Sequence, residues 1–362
     1  MHANLPAPGR AFDSLVPSSG ASIGFPQNPR VESAELAIGQ PAVTVEEIDE
    51  PTMAGAGIDL LELDAVQLQS MPFRVRRVVI RLDACSVVYH STNARVRTRT
   101  SVLEGRLAYV TFGPRAQGTM NGLPIVPDMM LAAAPATEGR FVVDAGYEAI
   151  AFLVRPQDVK DHLVARGREA DFHMPSGLEL LQVDAEKVRT LYDWGKRLVD
   201  TAAREPRRFD EGRKQRAAAQ IELLETLLAT LDAANGFEPT HSERTRQAHS
   251  LVVRDAEEHA LSRVDGLVQV SDLCRVAGVS ERALQYAFKE VMGLTPINYL
   301  VRVRLHRVRQ GLLAASHRTS TVSVEALKWG FWHFGEFSRA YKECFGELPS
   351  DTLRRRRIEP PS

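Results

Sequence analysis

Six side chains in the last quarter of the chain stand out by type and spacing. Arg282, Gln285 and Tyr286 lie three and one residues apart, and His333, Glu336 and Arg339 follow each other at intervals of three. On an α-helix such spacing puts each trio on one face. Arg pairs bidentately with guanine and Gln with adenine, while Glu accepts from the cytosine amine, so these faces suit base edges in a DNA major groove. Beside DNA the negative Glu336 requires such a cytosine, or a neighbouring base-reading Arg. No catalytic role is assigned to any residue.

The elements that must position these side chains form an internal repeat. "VSDLCRVAGVSERALQYAFKEVMGLTP" is followed by "VSVEALKWGFWHFGEFSRAYKECFGELP". Val270, Cys274, Gly278, Leu284, Phe288, Gly293 and Pro296 match Val322, Ala326, Gly330, Phe337, Tyr341, Gly346 and Pro349. Each copy reads as a helix-turn-helix. A small residue, Cys274 or Ala326, lets the second helix approach, and a glycine supplies the sharp turn. Leu284 with Phe288, or Phe337 with Tyr341, forms the buried stripe that leaves the opposite face free. Ser280 is a candidate cap for the first reading helix. "INYLVRVRLHRVRQGLLAA" predicts one helix holding the copies together, with one or two of Arg302, Arg304, Arg307 and Arg309 on phosphate. Trp329, Phe331 and Phe337 read as core, whereas Trp332 and Phe334 divide evenly between packing and thymine-methyl contact. The Arg354 to Arg357 run reads as solvated more readily than as a phosphate clamp.

Over roughly residues 250–354 this arrangement resembles the DNA-binding domain of the AraC/XylS family of transcription regulators. The paired units, the linking helix, the "FSRAYK" core and the "FGELPS" ending occur in family order, and "KWGFWHFGEF" is similar to the branch containing the ethanolamine-utilisation regulator. The resemblance implies that both recognition helices enter successive major-groove segments, with Arg282, Gln285, Tyr286, His333, Glu336 and Arg339 as the DNA-binding positions. Glu325 departs from the pattern, standing where the family has an aliphatic residue before Ala326.

The rest of the 362 residues sets the context. From Arg282 to Arg357 there are 14 Lys/Arg against 6 Asp/Glu in a chain of net charge −1, so a basic end is joined to an acidic remainder and points to a polyanion. The 3 cysteines are widely separated, without metal-ligand spacing. No apolar run reaches bilayer length and no secretory signal is evident, so a cytoplasmic location without membrane contact is expected. Residues 1–45 read as a mobile leader. Residues 46–165, with "RRVVIRL", "CSVVYHS", "RVRTRTSV", "RLAYVTFG" and "EAIAFLVRP", read as an antiparallel β barrel or sandwich, and the family resemblance implies that this is a cupin-like effector-binding or dimerisation domain. Residues 166–240 read as a helical linker or dimerisation region, and 250–357 as the all-α double helix-turn-helix domain, giving an α+β multidomain chain.

Within the β region His90 lacks companions for a metal site, and no cofactor is expected. Arg95, Arg97 and Arg99 share one strand face, which reads as an exposed charged face more readily than as an anion site. Ile221, Leu224, Leu228 and Leu231 line one helix face, covered either by the same chain or by a second copy. "NGFEPTHSERTRQ" reads as a linker. The expected partners are double-stranded DNA, RNA polymerase, a small-molecule effector and a second copy of the chain. The rival readings are a small cupin-type enzyme with an appended DNA-binding domain and a constitutive DNA binder that senses nothing.

Overall fold

A computed structural model describes residues 41–55, 60–167, 174–232, 234–262, 268–314 and 320–355. Most of the expected leader therefore lies outside the described residues, as do Arg356 and Arg357. The described chain has an N-terminal antiparallel β domain and a C-terminal helical domain.

Two sheets build the β domain. The larger contains, in spatial order, β1 (Val43–Ile48), β3 (Val75–Leu82), β4 (Cys85–Thr92), β11 (Glu148–Val154), β6 (Leu107–Phe112), β9 (Met129–Ala133), β12 (Leu178–Gln182) and β13 (Asn235–Gly236). The smaller contains β2 (Leu61–Gln67), β5 (Val96–Val102), β10 (Glu138–Val143), β7 (Gly118–Met120) and β8 (Leu123–Ile125). All pairings are antiparallel. The alternation of side chains along each strand decides what each face meets. Leu61, Leu63 and Ala65 of β2 line a cavity between the sheets, with Val96, Thr98 and Thr100 of β5 and Val88 and His90 of β4. This cavity is about 140 Å³.

The far face of the larger sheet is covered by helices. After α1 (Pro156–Val164), α2 (Ala185–Arg204), α3 (Pro206–Asp210) and α4 (Arg213–Leu231) join Ile80, Val87, Tyr89 and Phe152 in one apolar core. This resolves the leucine seam. Leu224 and Leu228 of α4 are buried in that core and Leu231 packs against it, while Ile221 is 55% exposed. Three of the four stripe residues are therefore used inside the chain, and a dimer could reach Leu224 and Leu228 only by opening the core. Leu223 and Leu227 are buried beside it, which widens the face to the arc a packed helix needs.

The supposed linker is corrected as well. β13 and Phe237 add to the β domain, and α5 (His241–Ser262) starts inside the segment read as irregular. Thr240 and Glu243 form a capping box: the Thr240 amide donates to the Glu243 carboxylate at 2.7 Å, and the Glu243 amide donates to the Thr240 hydroxyl at 3.4 Å. The helical domain thus begins at 241 rather than 250. Strands β2, β7, β8, β9 and β12 carry no alternating β-branched signal of the kind that marked the others, and register with their neighbours makes them strands.

Candidate nucleic-acid interface

Two successive helix-turn-helix units form from the repeat. In the first, α6 (Val270–Ala277) ends at Gly278, whose φ of +64° is open to glycine without strain, and α7 (Glu281–Met292) follows. In the second, α9 (Val322–Lys328) leads through Gly330 at φ +75° to α10 (Phe334–Phe345). Each second helix closes on a left-handed glycine, Gly293 or Gly346, as the matched positions require. Between them runs α8 (Pro296–Ala314), and α11 (Pro349–Arg355) closes the domain.

Burial separates the two faces of each second helix. Leu284, Ala287 and Phe288 are fully buried in α7, as are Phe337 and Tyr341 in α10. Arg282, Gln285 and Tyr286 are exposed, and so are His333, Glu336 and Arg339. Gln285 is braced by Glu281, to which its amide donates at 3.2 Å. Tyr286 stands edge-on to His249 of α5 with ring centroids 5.4 Å apart. The side chains of Arg282, His333, Glu336 and Arg339 make no hydrogen bond or ion pair with the described residues, so their polar groups face solvent uncommitted. Folding does not use these six side chains for the core.

The two helices differ at their starts. The Ser280 hydroxyl accepts from the Ala283 amide at 3.3 Å, fulfilling the expected cap. His333 occupies the corresponding place in α10 and makes no side-chain cap. Trp332 and Phe334 beside it are 65% and 42% exposed, while Trp329, Phe331 and Phe337 join the core of the second unit. The aromatic crowd therefore divides into a packed set and an outward pair at the N-terminus of α10.

Glu325 is buried rather than disruptive. It accepts from the Ser320 hydroxyl and from Lys328 Nζ at 2.8 Å, and it fills space left by Gly311 of α8, where any Cβ would collide with it. The missing side chain on one helix accommodates the carboxylate on the other.

Several arginines expected on phosphate or in solvent instead join the two domains. Arg97 of β5 is buried between Asp64, at 2.9 Å, and Glu257 of α5. Glu257 also accepts from Arg140 at 3.1 Å and from the Tyr299 hydroxyl of α8. Burial alone would raise the Asp64 pKa, but Arg97 and Arg307 pull it below the ordinary carboxylate range. Arg95 pairs with Asp144 at 2.8 Å and donates to the Val291 carbonyl, and Arg99 lies 3.6 Å from Glu138. Arg95 and Arg97 thus seat the helical domain, while Arg99 pairs within the small sheet. On α8, Arg309 pairs with Glu50 at 2.6 Å and Glu347 at 2.8 Å, and Arg302 donates to the Gln67 carbonyl at 3.3 Å. His306 accepts from the Gln67 amide at 3.3 Å, and burial holds its pKa down at about 3, so it is neutral there. Arg354 and Arg355 pair with Asp351 and Glu347. Glu257, Tyr299 and His306 had no local signal in the sequence because their partners lie far away along the chain.

A family model described as a helix-turn-helix domain matches residues 273–355, which takes in both units. The probable thc operon regulatory protein of Rhodococcus erythropolis is 36% identical over 103 residues, 28% of this chain and 31% of that protein. XylDLEGF operon transcriptional activator 1 of Pseudomonas putida is 38% identical over 92 residues, 25% of this chain and 28% of that one. A solved structure of a probable AraC family transcriptional regulator from Rhodopseudomonas palustris is 34% identical, covering 29% of this chain and 96% of that one, with a TM-score of 0.28. The C-terminal domain of this chain belongs to the AraC/XylS family. The chain spans about three tenths of the length of the curated relatives named, and the likeness falls within the AraC/XylS-type domain. Among the described residues no group of His, Cys, Asp and Glu is placed to hold a metal ion, and no helix is long and apolar enough to cross a membrane.

Proposed function

We propose that the protein is an effector-responsive, sequence-specific transcription regulator that reads two adjacent major-groove segments of double-stranded DNA. The observation that carries this reading is the pair of exposed polar faces, Arg282, Gln285 and Tyr286 on α7 and His333, Glu336 and Arg339 on α10, each backed by a buried apolar stripe. Arg339 and Gln285 suit bidentate pairing with guanine and adenine, and Glu336 suits the cytosine amine. The cavity between the sheets supports a sensing role for the β domain. Occupying it would change transcription only if the ligand favours one arrangement of the domains over another. A cytoplasmic location, contact with RNA polymerase and action as a homodimer belong to this proposal, as does membership of the ethanolamine-utilisation regulator branch, which rests on "KWGFWHFGEF".

The test is selection of binding sites from a random DNA library. Gln285→Ala and Arg339→Ala should each lose base preference in a different block, by roughly 1–3 kcal/mol of discrimination, with the blocks about one helical turn apart. Retention of the wild-type motif by both variants, with uniformly weaker binding, would assign these residues to the phosphate backbone and refute the base-reading assignment.

A further inference from the structure

We propose that the cavity between the two sheets binds a small, uncharged aromatic compound bearing one hydrogen-bonding group, such as a phenol, held at that group by the His90 imidazole. This rests on the sensing role given above to the β domain and names the chemical class that the site takes.

Size sets the first limit. The cavity, about 140 Å³, is close to the roughly 150 Å³ of a protein cavity known to admit benzene, so one six-membered ring and a small substituent fill it. Its walls are almost entirely apolar, and Phe73, Phe141 and Tyr147 add aromatic rings to the aliphatic lining.

Charge sets the second limit. No Asp or Glu is among the described lining residues, so an ammonium group would find no counter-ion among them. The cation among the described lining residues, Arg77, is already engaged by Glu46 at 3.0 Å and by the Ala54 carbonyl. A carboxylate entering the cavity would have to compete with Glu46 for that guanidinium. Glu46, Arg77 and His90 stand side by side across β1, β3 and β4 in directly paired register. The positive side of the row is thus matched before any ligand arrives.

The polar anchor sets the third. His90 Nε2 is sealed from solvent and has no hydrogen-bond partner among the described residues. Burial, assisted by the neighbouring Arg77, holds the imidazole pKa at about 3, so the ring is neutral and offers one donor and one acceptor. A hydroxyl fits either role. The same cavity touches Val96, Thr98 and Thr100 on the inner side of β5, whose outer side carries Arg97 against Glu257 of the helical domain. A ligand there bears on the strand that seats the DNA-binding half.

Calorimetric titration of the full-length protein near pH 7.5 tests the proposal, with phenol and benzoate as probes and fluorobenzene followed by fluorine NMR. Phenol should bind saturably and at least tenfold more tightly than benzoate. His90→Leu should weaken phenol about tenfold and leave fluorobenzene bound, and His90→Phe, which keeps a ring but no hydrogen-bonding atom, should do the same should the leucine variant not fold. Ala151→Leu, which adds bulk at the cavity wall, should abolish binding of both rings. Tighter binding of benzoate than of phenol, absence of saturable phenol binding, unchanged phenol affinity in His90→Leu, or phenol binding that survives Ala151→Leu would each overturn it. Site selection without ligand on the same preparation keeps the two readings apart. Intact base preference with no phenol binding sinks the ligand class alone, while loss of base preference sinks the DNA-reading assignment.

Discussion

The two helix-turn-helix units share a sequence pattern and a turn geometry but are anchored differently. The core of the first is shared with the β domain: Val66 and Leu68 at the end of β2 and Val142 of β10 pack with Leu273, Leu284 and Phe288. The core of the second draws on its own helices and α8, with Leu305, Val308, Leu312, Phe337 and Tyr341 and no strand residue among those described. Charge joins the second unit to the β domain through Glu50, Arg309 and Glu347, whereas the first adds the buried Arg97–Glu257–Tyr299 cluster to its apolar contact. Duplication copied the motif; the surroundings made one copy part of the β domain's packing and left the other to pack by itself. A change in the small sheet therefore has a direct route to α7 and an indirect one, through α8, to α10.

The largest test of this contrast is Glu257→Gln. Removing the carboxylate leaves Arg97 buried with only Asp64 opposite, and breaking a buried pair from one side costs on the order of 3 kcal/mol. Urea unfolding should register that loss. Glu50→Gln should cost less, because Glu257 also accepts from Arg140 and Tyr299, so its loss weakens three groups at once, while Arg309 keeps Glu347. Equal losses for the two variants would remove the asymmetry.

A comparable but more local effect is expected from Leu68→Ala, a core truncation of about 3 kcal/mol. Hydrogen exchange should show protection falling in α7 while α10 keeps its own. If both helices lose protection together, the units behave as one cooperative body and the contrast in anchoring has no energetic meaning.

The smallest test concerns the helix starts. Ser280→Ala should destabilise by about 1 kcal/mol through the lost cap, whereas His333→Ala should leave thermal stability nearly unchanged because His333 caps nothing. His333→Ala would then report on DNA contact alone, which makes the second unit the cleaner one for separating reading from folding.

Much of the helical domain was legible because its signals are local. Gly278 and Gly330 take the positive φ that the expected turns need, the matched Gly293 and Gly346 take it as well, and spacing alone assigned Leu284 and Phe288, or Phe337 and Tyr341, to the core. The six outward residues follow from the same periodicity, since whatever does not face the core faces solvent. The helical seam was less legible. Ile221, Leu224, Leu228 and Leu231 have the spacing of a packed face, but spacing cannot say whether the covering surface belongs to the same chain. The capping box at Thr240 and Glu243 was a readable signal that the surrounding Gly, Pro and polar residues obscured.

By itself, then, the sequence determined the duplicated motif, the two outward polar faces, the β-rich character of the first half and the basic bias of the last. Each depends on neighbours within a few residues, where helix and strand periods act. Only the tertiary structure decided that Arg97 and Arg309 hold the domains together, that α4 closes the β domain, and that the sheets line a largely apolar cavity beside His90. An arginine looks the same in sequence whether it meets water, phosphate or a carboxylate, and its role is set by partners such as Glu257 and Glu50 that only folding brings within reach.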